Sequence, residues 1–255
     1  MFAEERQNKI MELLRRKTRV TVDELVTAFS VTGTTIRTDL KELEALGYIN
    51  RTHGGAIIRD AAVHSEDSIQ ERKDKNLVQK MQIARKAREF IEEGDVIIID
   101  SGTTTFELAK ELSTASNITV ITNDLKIGME LQRNKELSLI LIGGKVRNSF
   151  ECTVGMTGIR LLDMLTVDKL FMSANALSVT KGATTPNLEQ AEMKSKMIEI
   201  AKTVYLLCDS SKVGQRTLCS FGKADTFDFI ITDQGISDEV KTSLSEAGGN
   251  IIISE

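Results

Sequence analysis

No apolar run in this 255-residue chain reaches the roughly 18–20 residues a bilayer-spanning helix needs. No membrane segment is therefore expected. The first residues, Met1-Phe-Ala-Glu-Glu-Arg-Gln-Asn-Lys9, lack the apolar core of a signal peptide, so a cytoplasmic protein is expected. Cysteine is scarce. Cys152, Cys208 and Cys219 are odd in number and have no metal-ligand spacing, which fits a reducing compartment. The only two histidines, His53 and His64, lie far from them in sequence, and no metal site is expected. There is no Gly-x-x-x-x-Gly-Lys-Ser/Thr and no Gly-x-Gly-x-x-Gly. Nucleotide hydrolysis and dinucleotide binding are poor readings, and no cofactor is expected. There is no repeat of fixed period. Net charge is −4, so positive charge for nucleic acid has to be concentrated locally.

The length leaves room for one large or two ordinary domains, and 41% hydrophobic with 27% charged residues is globular composition. Local concentration of cations is found near the start. From Arg6 to Lys17, Ile10, Leu13 and Leu14 share one helical face, and Arg15, Arg16 and Lys17 sit at the end favoured by the helix dipole. Thr21-Val-Asp-Glu24 is a capping-box pattern opening a second helix through Leu25, Val26 and Phe29. Ser30-Val31-Thr32 is a turn. In the third helix Ile36, Leu40, Leu43 and Leu46 form an apolar stripe, with Thr32 able to cap its start and Gly47 to end it. Thr34, Thr35, Arg37, Thr38 and Lys41 occupy its other faces, hydroxyls and cations suited to base edges and phosphates in a major groove. An ordinary amphipathic helix with a solvated face would look the same in isolation. Tyr48 to His53 then alternates like a strand, Gly54-Gly55 turns it, and Ala56-Ile57-Ile58 returns, as in a winged helix-turn-helix. Arg15, Arg16, Arg37, Lys41, Arg51 and His53 can all reach a phosphate backbone in such a fold. Asp39 would be unfavourable against phosphates and is expected to pair with a nearby Arg.

Residues from about Arg6 to Gly55 resemble the DNA-binding domain of the DeoR family of bacterial transcriptional regulators. The resemblance rests on Arg6, Ile10, Leu13, Leu25, then Val31-Thr-Gly-Thr-Thr-Ile-Arg-Thr-Asp-Leu40, then Arg51-Thr-His-Gly-Gly55. Gly33 departs from the pattern and costs helix propensity in the first turn, which DNA binding would then firm up.

Domain boundaries are expected at 1–57 for the winged helix-turn-helix, 58–75 for a polar, charged linker that is in part helical, and 76–255 for a second domain. That domain alternates. Apolar runs at Val96–Ile99, Ile118–Ile121, Leu137–Ile142, Lys169–Met172, Val204–Leu207, Phe229–Ile231 and Ile251–Ile253 read as buried parallel strands. Helical stretches at 77–93, 106–112, 125–132, 157–165, 188–201 and 238–247 separate them. The fold class is α/β: a winged helix-turn-helix followed by a mostly parallel sheet with helices on both faces.

Ligands in such sheets bind at the carboxyl ends of the strands. Asp100, Ser101, Gly102, Thr103, Thr104 and Thr105 follow one strand and open a helix, whose free amides favour an anion. Gly143-Gly144-Lys145, with Arg147 nearby, follows another, and Asp209-Ser210-Ser211-Lys212 a third. Each loop alone also reads as a capped turn. Together they suit a small phosphorylated molecule. The second half also resembles the DeoR family's effector domain, similar in fold to ribose-5-phosphate isomerase and CoA transferases. The resemblance implies that Asp100–Thr105 and Lys212 hold the phosphate of a sugar phosphate, with Lys145 and Arg147 weaker candidates. Ser173-Ala-Asn-Ala-Leu177 falls where the family has Gly-Ala-Asp-Gly, so Asn175 replaces an Asp and cannot act as a base, which argues against catalysis. Thr184, Thr185, Glu189, Glu192 and Lys194 either line the site or begin a helix.

The expected function is thus a DNA-binding regulator, a repressor of a carbohydrate-catabolic operon and not an enzyme. Its partners would be double-stranded operator DNA and a phosphorylated sugar, and it would act as a homo-oligomer, dimer or tetramer. A sugar-phosphate isomerase with an appended DNA-binding module is the alternative, and a nucleoid-type binder without a ligand pocket is a third reading.

Overall fold

The computed structural model describes residues 3–17, 19–45, 48–58 and 69–255, apart from a few side chains. Leu46, Gly47, His64 and most of the expected linker, 59–68, lie outside them. The chain divides into two compact units, Met1–Ser65 and Glu66–Glu255.

The first unit runs α1 (Ala3–Lys17), β1 (Arg19–Thr21), α2 (Val22–Phe29), α3 (Gly33–Ala45), β2 (Ile49–Thr52) and β3 (Gly55–Ile58). Its helix starts are fixed by threonines. Thr21 Oγ1 accepts from the Glu24 amide at 3.2 Å while the Glu24 carboxylate accepts from the Thr21 amide at 2.8 Å, so the capping box forms. Thr32 Oγ1 accepts from the Thr35 amide, and Gly33 is the first residue of α3. Ile10, Leu14, Val20, Leu25, Ile36, Leu40, Leu43 and Ile49 bury together into one small core. Asp39 is buried beside it and accepts two hydrogen bonds from the Arg6 guanidinium, at 2.6 and 3.0 Å. This is the pairing expected of an acid on the recognition helix.

The wing has three strands, ordered β1-β3-β2 and all antiparallel. β1 is too short to be read from the sequence. The turn also differs from expectation: it is His53-Gly54, and Gly55 already belongs to β3, opposite Thr21 and Thr52. A Cβ on Gly55 would lie 2.8 Å from Thr21 Cα, so only glycine lets β3 approach β1 here.

The second unit opens with α4 (Ile69–Asp74) and α5 (Leu77–Arg88). Seven parallel strands follow: β4 (Val96–Ile99), β5 (Thr119–Thr122), β6 (Ser138–Leu141), β9 (Val167–Ser173), β12 (Ala201–Leu207), β14 (Phe229–Asp233) and β15 (Ile251–Ser254). Their order in the sheet is β15-β14-β12-β9-β4-β5-β6. Alternation along each strand feeds two cores. Ile97, Ile99, Phe171, Tyr205 and Leu207 join one, packed by residues of α5, α6 (Thr103–Glu111) and α7 (Leu125–Leu131). Ile98, Leu170, Met172, Val204 and Leu206 join the other, with α8 (Met156–Leu162), α9 (Leu188–Glu199) and α10 (Asp238–Glu246).

Two antiparallel additions escape the sequence reading: β7 (Lys145–Arg147) with β8 (Cys152–Val154), and β10 (Ala176–Ser178) with β11 (Gly182–Thr185) and β13 (Cys219–Gly222). They are three or four residues long, and none is a continuous aliphatic run. Two helix limits also shift. α5 ends at Arg88 rather than Glu93, with Ile91 buried and Phe90 half-buried in the turn that follows. α6 begins at Thr103, because Gly102 takes the capping position and three threonines form its first turn.

Candidate functional site

The residues expected to carry the chemistry fall in two regions, one in each unit. On α3, Thr34, Arg37, Thr38 and Lys41 follow at spacings of three, four and seven and are exposed, opposite the buried Ile36, Leu40 and Leu43. Thr35 stands apart. It is half-buried and its hydroxyl pairs with Thr32 at 2.9 Å, so it shapes the helix start. Arg37 folds back over Gly33, where a Cβ would come within 3.2 Å of its Nη1. In the wing, Arg51 and His53 are exposed, and the Arg51 amide donates to Glu44 at 2.9 Å. Arg15 and Arg16 belong to the last turn of α1, and their side chains lie outside the described residues. Residues 1–58 hold nine Lys and Arg against eight Asp and Glu. Placement of the cations, not net charge, therefore makes this face positive.

In the second unit the chain runs from β4 outward through β5 to β6, then returns to place β9 on the other side of β4. The carboxyl ends of β4 and β9 thus flank the point where the winding reverses, the place where open α/β sheets form a crevice. Asp100 follows β4 and is almost fully buried. Its Oδ2 accepts from the Ser173 amide at 3.0 Å and from the Lys194 ammonium. Lys194 also donates to the Ser173 carbonyl at 2.9 Å, and Ser173 Oγ to the Ser101 carbonyl at 2.7 Å. Three elements, β4, β9 and α9, are knitted by one buried ion pair. Asp100 Oδ1 and Thr104 Oγ1 are buried without a hydrogen-bond partner among the described residues.

Above this knot lies a crevice. Ser101 and Gly102 line it from the β4–α6 loop, and Ser173 and Asn175 from the end of β9. Gln190 and Lys194 come from α9, Phe150 from the turn after β7, and Ile69 and Arg72 from α4. Gly102 is required by contact: a Cβ there would lie 2.7 Å from Ser173 Cβ. It also leaves the first amides of α6 without a competing side-chain cap. Gln190 is held from both ends, accepting from Thr185 Oγ1 at 2.9 Å and donating to Cys152 Sγ at 3.5 Å.

Of the residues expected to bind effector, Ser101, Gly102 and Asn175 line the crevice, and Asp100 lies beneath it. The side chains of Thr103, Thr104 and Thr105 are buried in the turn, with Thr105 Oγ1 donating to the Gly102 carbonyl. Lys145 and Lys212 are not among the lining residues. Lys145 forms a surface ion pair with Glu189 at 3.0 Å. Lys212 lies 3.6 Å from Asp209, in a cluster where Asn76 donates to both Asp209 and Ser211 at 2.9 Å. Burial would raise the Asp209 carboxyl, but Lys212, Ser211, Asn76 and Lys80 outweigh it and hold its pKa low. Lys194, left open between site and helix by the sequence, is in the site. So are Gln190, Phe150 and Arg72. A signal for two of these existed: Gln190 and Lys194, four residues apart, fall in register with the buried Ala191 and Met197.

Among the described residues no helix is long and apolar enough to cross a membrane. Residues 6–62 match the DeoR-like helix-turn-helix domain, and residues 75–234 match the DeoR C terminal sensor domain. The chain is 34% identical to the HTH-type transcriptional regulator GlpR of Haloferax volcanii, over 99% of this chain and 98% of that protein. It is 34% identical to the HTH-type transcriptional regulator GolR of Listeria innocua, over the full length of both. Identity to the lactose phosphotransferase system repressor of Staphylococcus aureus is 34%, over 95% and 96% of the two chains. Ribose 5-phosphate isomerase A of Methanocaldococcus jannaschii superposes on 55% of each chain at a TM-score of 0.41 and 19% identity, a loose likeness. With a recognition helix and wing in one unit, a crevice at the reversal point of a parallel sheet in the other, and these relatives along its whole length, the chain belongs to the DeoR family of transcriptional regulators.

Proposed function

We propose that this chain represses a carbohydrate-catabolic operon and that a phosphorylated sugar in the crevice controls its hold on double-stranded operator DNA. The observation that carries this is the crevice itself. A helix N-terminus left open by Gly102 and a buried ammonium, Lys194, face one cleft at the reversal point of the sheet. Asn175 and Gln190 offer amides for sugar hydroxyls. The names of relatives, among them a lactose phosphotransferase system repressor, support the same class of regulated gene.

The reading is non-enzymatic. Proton transfer on a sugar phosphate needs a base within reach of the carbon acid. Asn175 is an amide, and Asp100 is engaged by Lys194 and Ser173. Thr34, Arg37, Thr38, Lys41, Arg51 and His53 are assigned to the DNA, Arg15 and Arg16 to the flanking phosphates. Two copies in a homo-oligomer would grip a two-fold or repeated operator. The effector shifts operator occupancy only by its difference in affinity for the DNA-bound and free forms.

The test is a thermal-shift screen of the full chain against sugar phosphates and the matching unphosphorylated sugars. A ligand at ~100 times its dissociation constant adds about 2.7 kcal/mol to stability. A stabilising hit that needs the phosphate, and that alters operator binding at the same concentration, is expected. Equal stabilisation by the unphosphorylated sugar would overturn the phosphate assignment.

A further inference from the structure

The exposed face of α3 carries two short hydroxyl side chains one turn apart, Thr34 and Thr38. Thr38 Oγ1 donates to the Thr34 carbonyl at 3.1 Å, so it bonds back onto its own helix. A hydroxyl has one proton, and here that proton is spent on the backbone. Two groups branch from a threonine Cβ, the hydroxyl and a methyl. With the hydroxyl turned onto the preceding turn, the methyl is left to face outward. The long neighbours are drawn elsewhere. Arg37 lies back over Gly33, and Glu42, one turn beyond Thr38, accepts from the Gln7 side-chain amide at 2.5 Å.

This changes what Thr38 can recognise. In the major groove guanine presents only acceptors, adenine N6 and cytosine N4 present donors, and thymine presents an acceptor and its C5-methyl. A hydroxyl whose proton is spent has nothing to give guanine or thymine O4. It can still accept from an amino group, and its methyl finds a methyl partner only on thymine. Both remaining capacities are met together by one A·T pair. Thr38 is the sixth residue of α3, in the N-terminal half of the helix, the part of a recognition helix that meets base edges. Resting on the assignment of α3 to operator DNA, we propose that Thr38 reads an A·T pair through its methyl group, packed on a thymine C5-methyl, and that its hydroxyl serves to aim that methyl.

The operator is first selected from a library of random duplexes with the unaltered full-length protein. Thr38→Val, Thr38→Ser and Thr38→Ala are then titrated against the selected duplex. They are also titrated against copies in which deoxyuridine replaces thymidine one position at a time, which removes only the C5-methyl. Valine keeps an outward methyl and has no hydroxyl, whereas serine keeps the hydroxyl and has no methyl. Thr38→Val is expected to bind the selected duplex as the unaltered protein does. Thr38→Ser should bind about fourfold more weakly, the worth of one methyl group removed from water. One deoxyuridine should cost the unaltered protein the same factor and cost Thr38→Ser nothing. If Thr38→Val loses as much as Thr38→Ala, or Thr38→Ser keeps full affinity, the methyl is not the reader and the proposal falls. It falls equally if every deoxyuridine duplex costs Thr38→Ser as much as it costs the unaltered protein, while α3 keeps its place on the operator. If the unaltered protein selects no sequence, α3 does not read bases and both readings fall.

Discussion

The Arg6–Asp39 pair is the buried charge on which the winged helix depends. Both side chains are almost fully enclosed, and Asp39 sits on the same helix as the residues assigned to DNA. Removing one partner strands the other charge away from water. Arg6→Met should therefore cost about 3–5 kcal/mol of stability in the first unit. The double variant Arg6→Met, Asp39→Leu should recover most of that loss. Denaturant melts of the full chain, followed by a probe in the first unit, check both. Lys80 makes a different prediction. Burial first, then Lys212 and Arg72, push its ammonium down to about 8, against the opposing pull of Asp209 and Glu107. The folded chain thus releases this proton near pH 8, whereas the unfolded chain keeps it to about 10.4. Between those values the unfolded state binds more protons, so stability from this group rises with pH. Relative to a Lys80→Met variant, the unaltered protein should gain stability from pH 8 to pH 10, and a flat difference would show that Lys80 titrates normally.

At the scale of elements, the recognition helix is the sharpest object. Arg37→Ala should weaken operator binding by about 1–3 kcal/mol and relax preference at one base position if Arg37 reads a base. Lys41→Ala should weaken all sequences alike and lower the salt dependence by about one counterion. Titrations at several salt concentrations separate the two. This helix was legible because its apolar stripe and its hydroxyl-cation face keep different registers. The seven parallel strands were legible for a related reason: a strand covered on both faces must be apolar throughout, as Val96–Ile99 is. The short antiparallel strands carry no such signature. Gly182-Ala-Thr-Thr185 is held in place by a short hairpin with β10 and by β13, which is distant in sequence. The site shows the same division. Ser101 and Gly102 stand in a loop whose position after an apolar run marks it. Arg72 stands in a charged segment, and only the folded chain brings it to the crevice.

At the scale of the whole molecule, an acidic chain binds DNA through one nearly neutral unit. Its non-specific affinity should accordingly be weak and should collapse steeply as salt rises, with specific sites surviving further. Competition with bulk duplex DNA across salt concentrations measures this, and a shallow slope would argue against phosphate contacts by Arg15, Arg16 and Lys41. The second unit has its own arithmetic. A three-way knot of Asp100, Ser173 and Lys194 closes the floor of the crevice, while one wall, with Ile69 and Arg72, comes from ahead of the sheet. That wall sets a rule for anyone exchanging parts between relatives. A splice at residue 75, where the sensor match begins, would graft a new pocket onto a foreign wall. A splice before residue 69 carries the pocket whole. Chimeras cut at the two points should differ in ligand response even though every residue of the sheet is the same, because the heritable unit of sensing is longer than the domain that houses it.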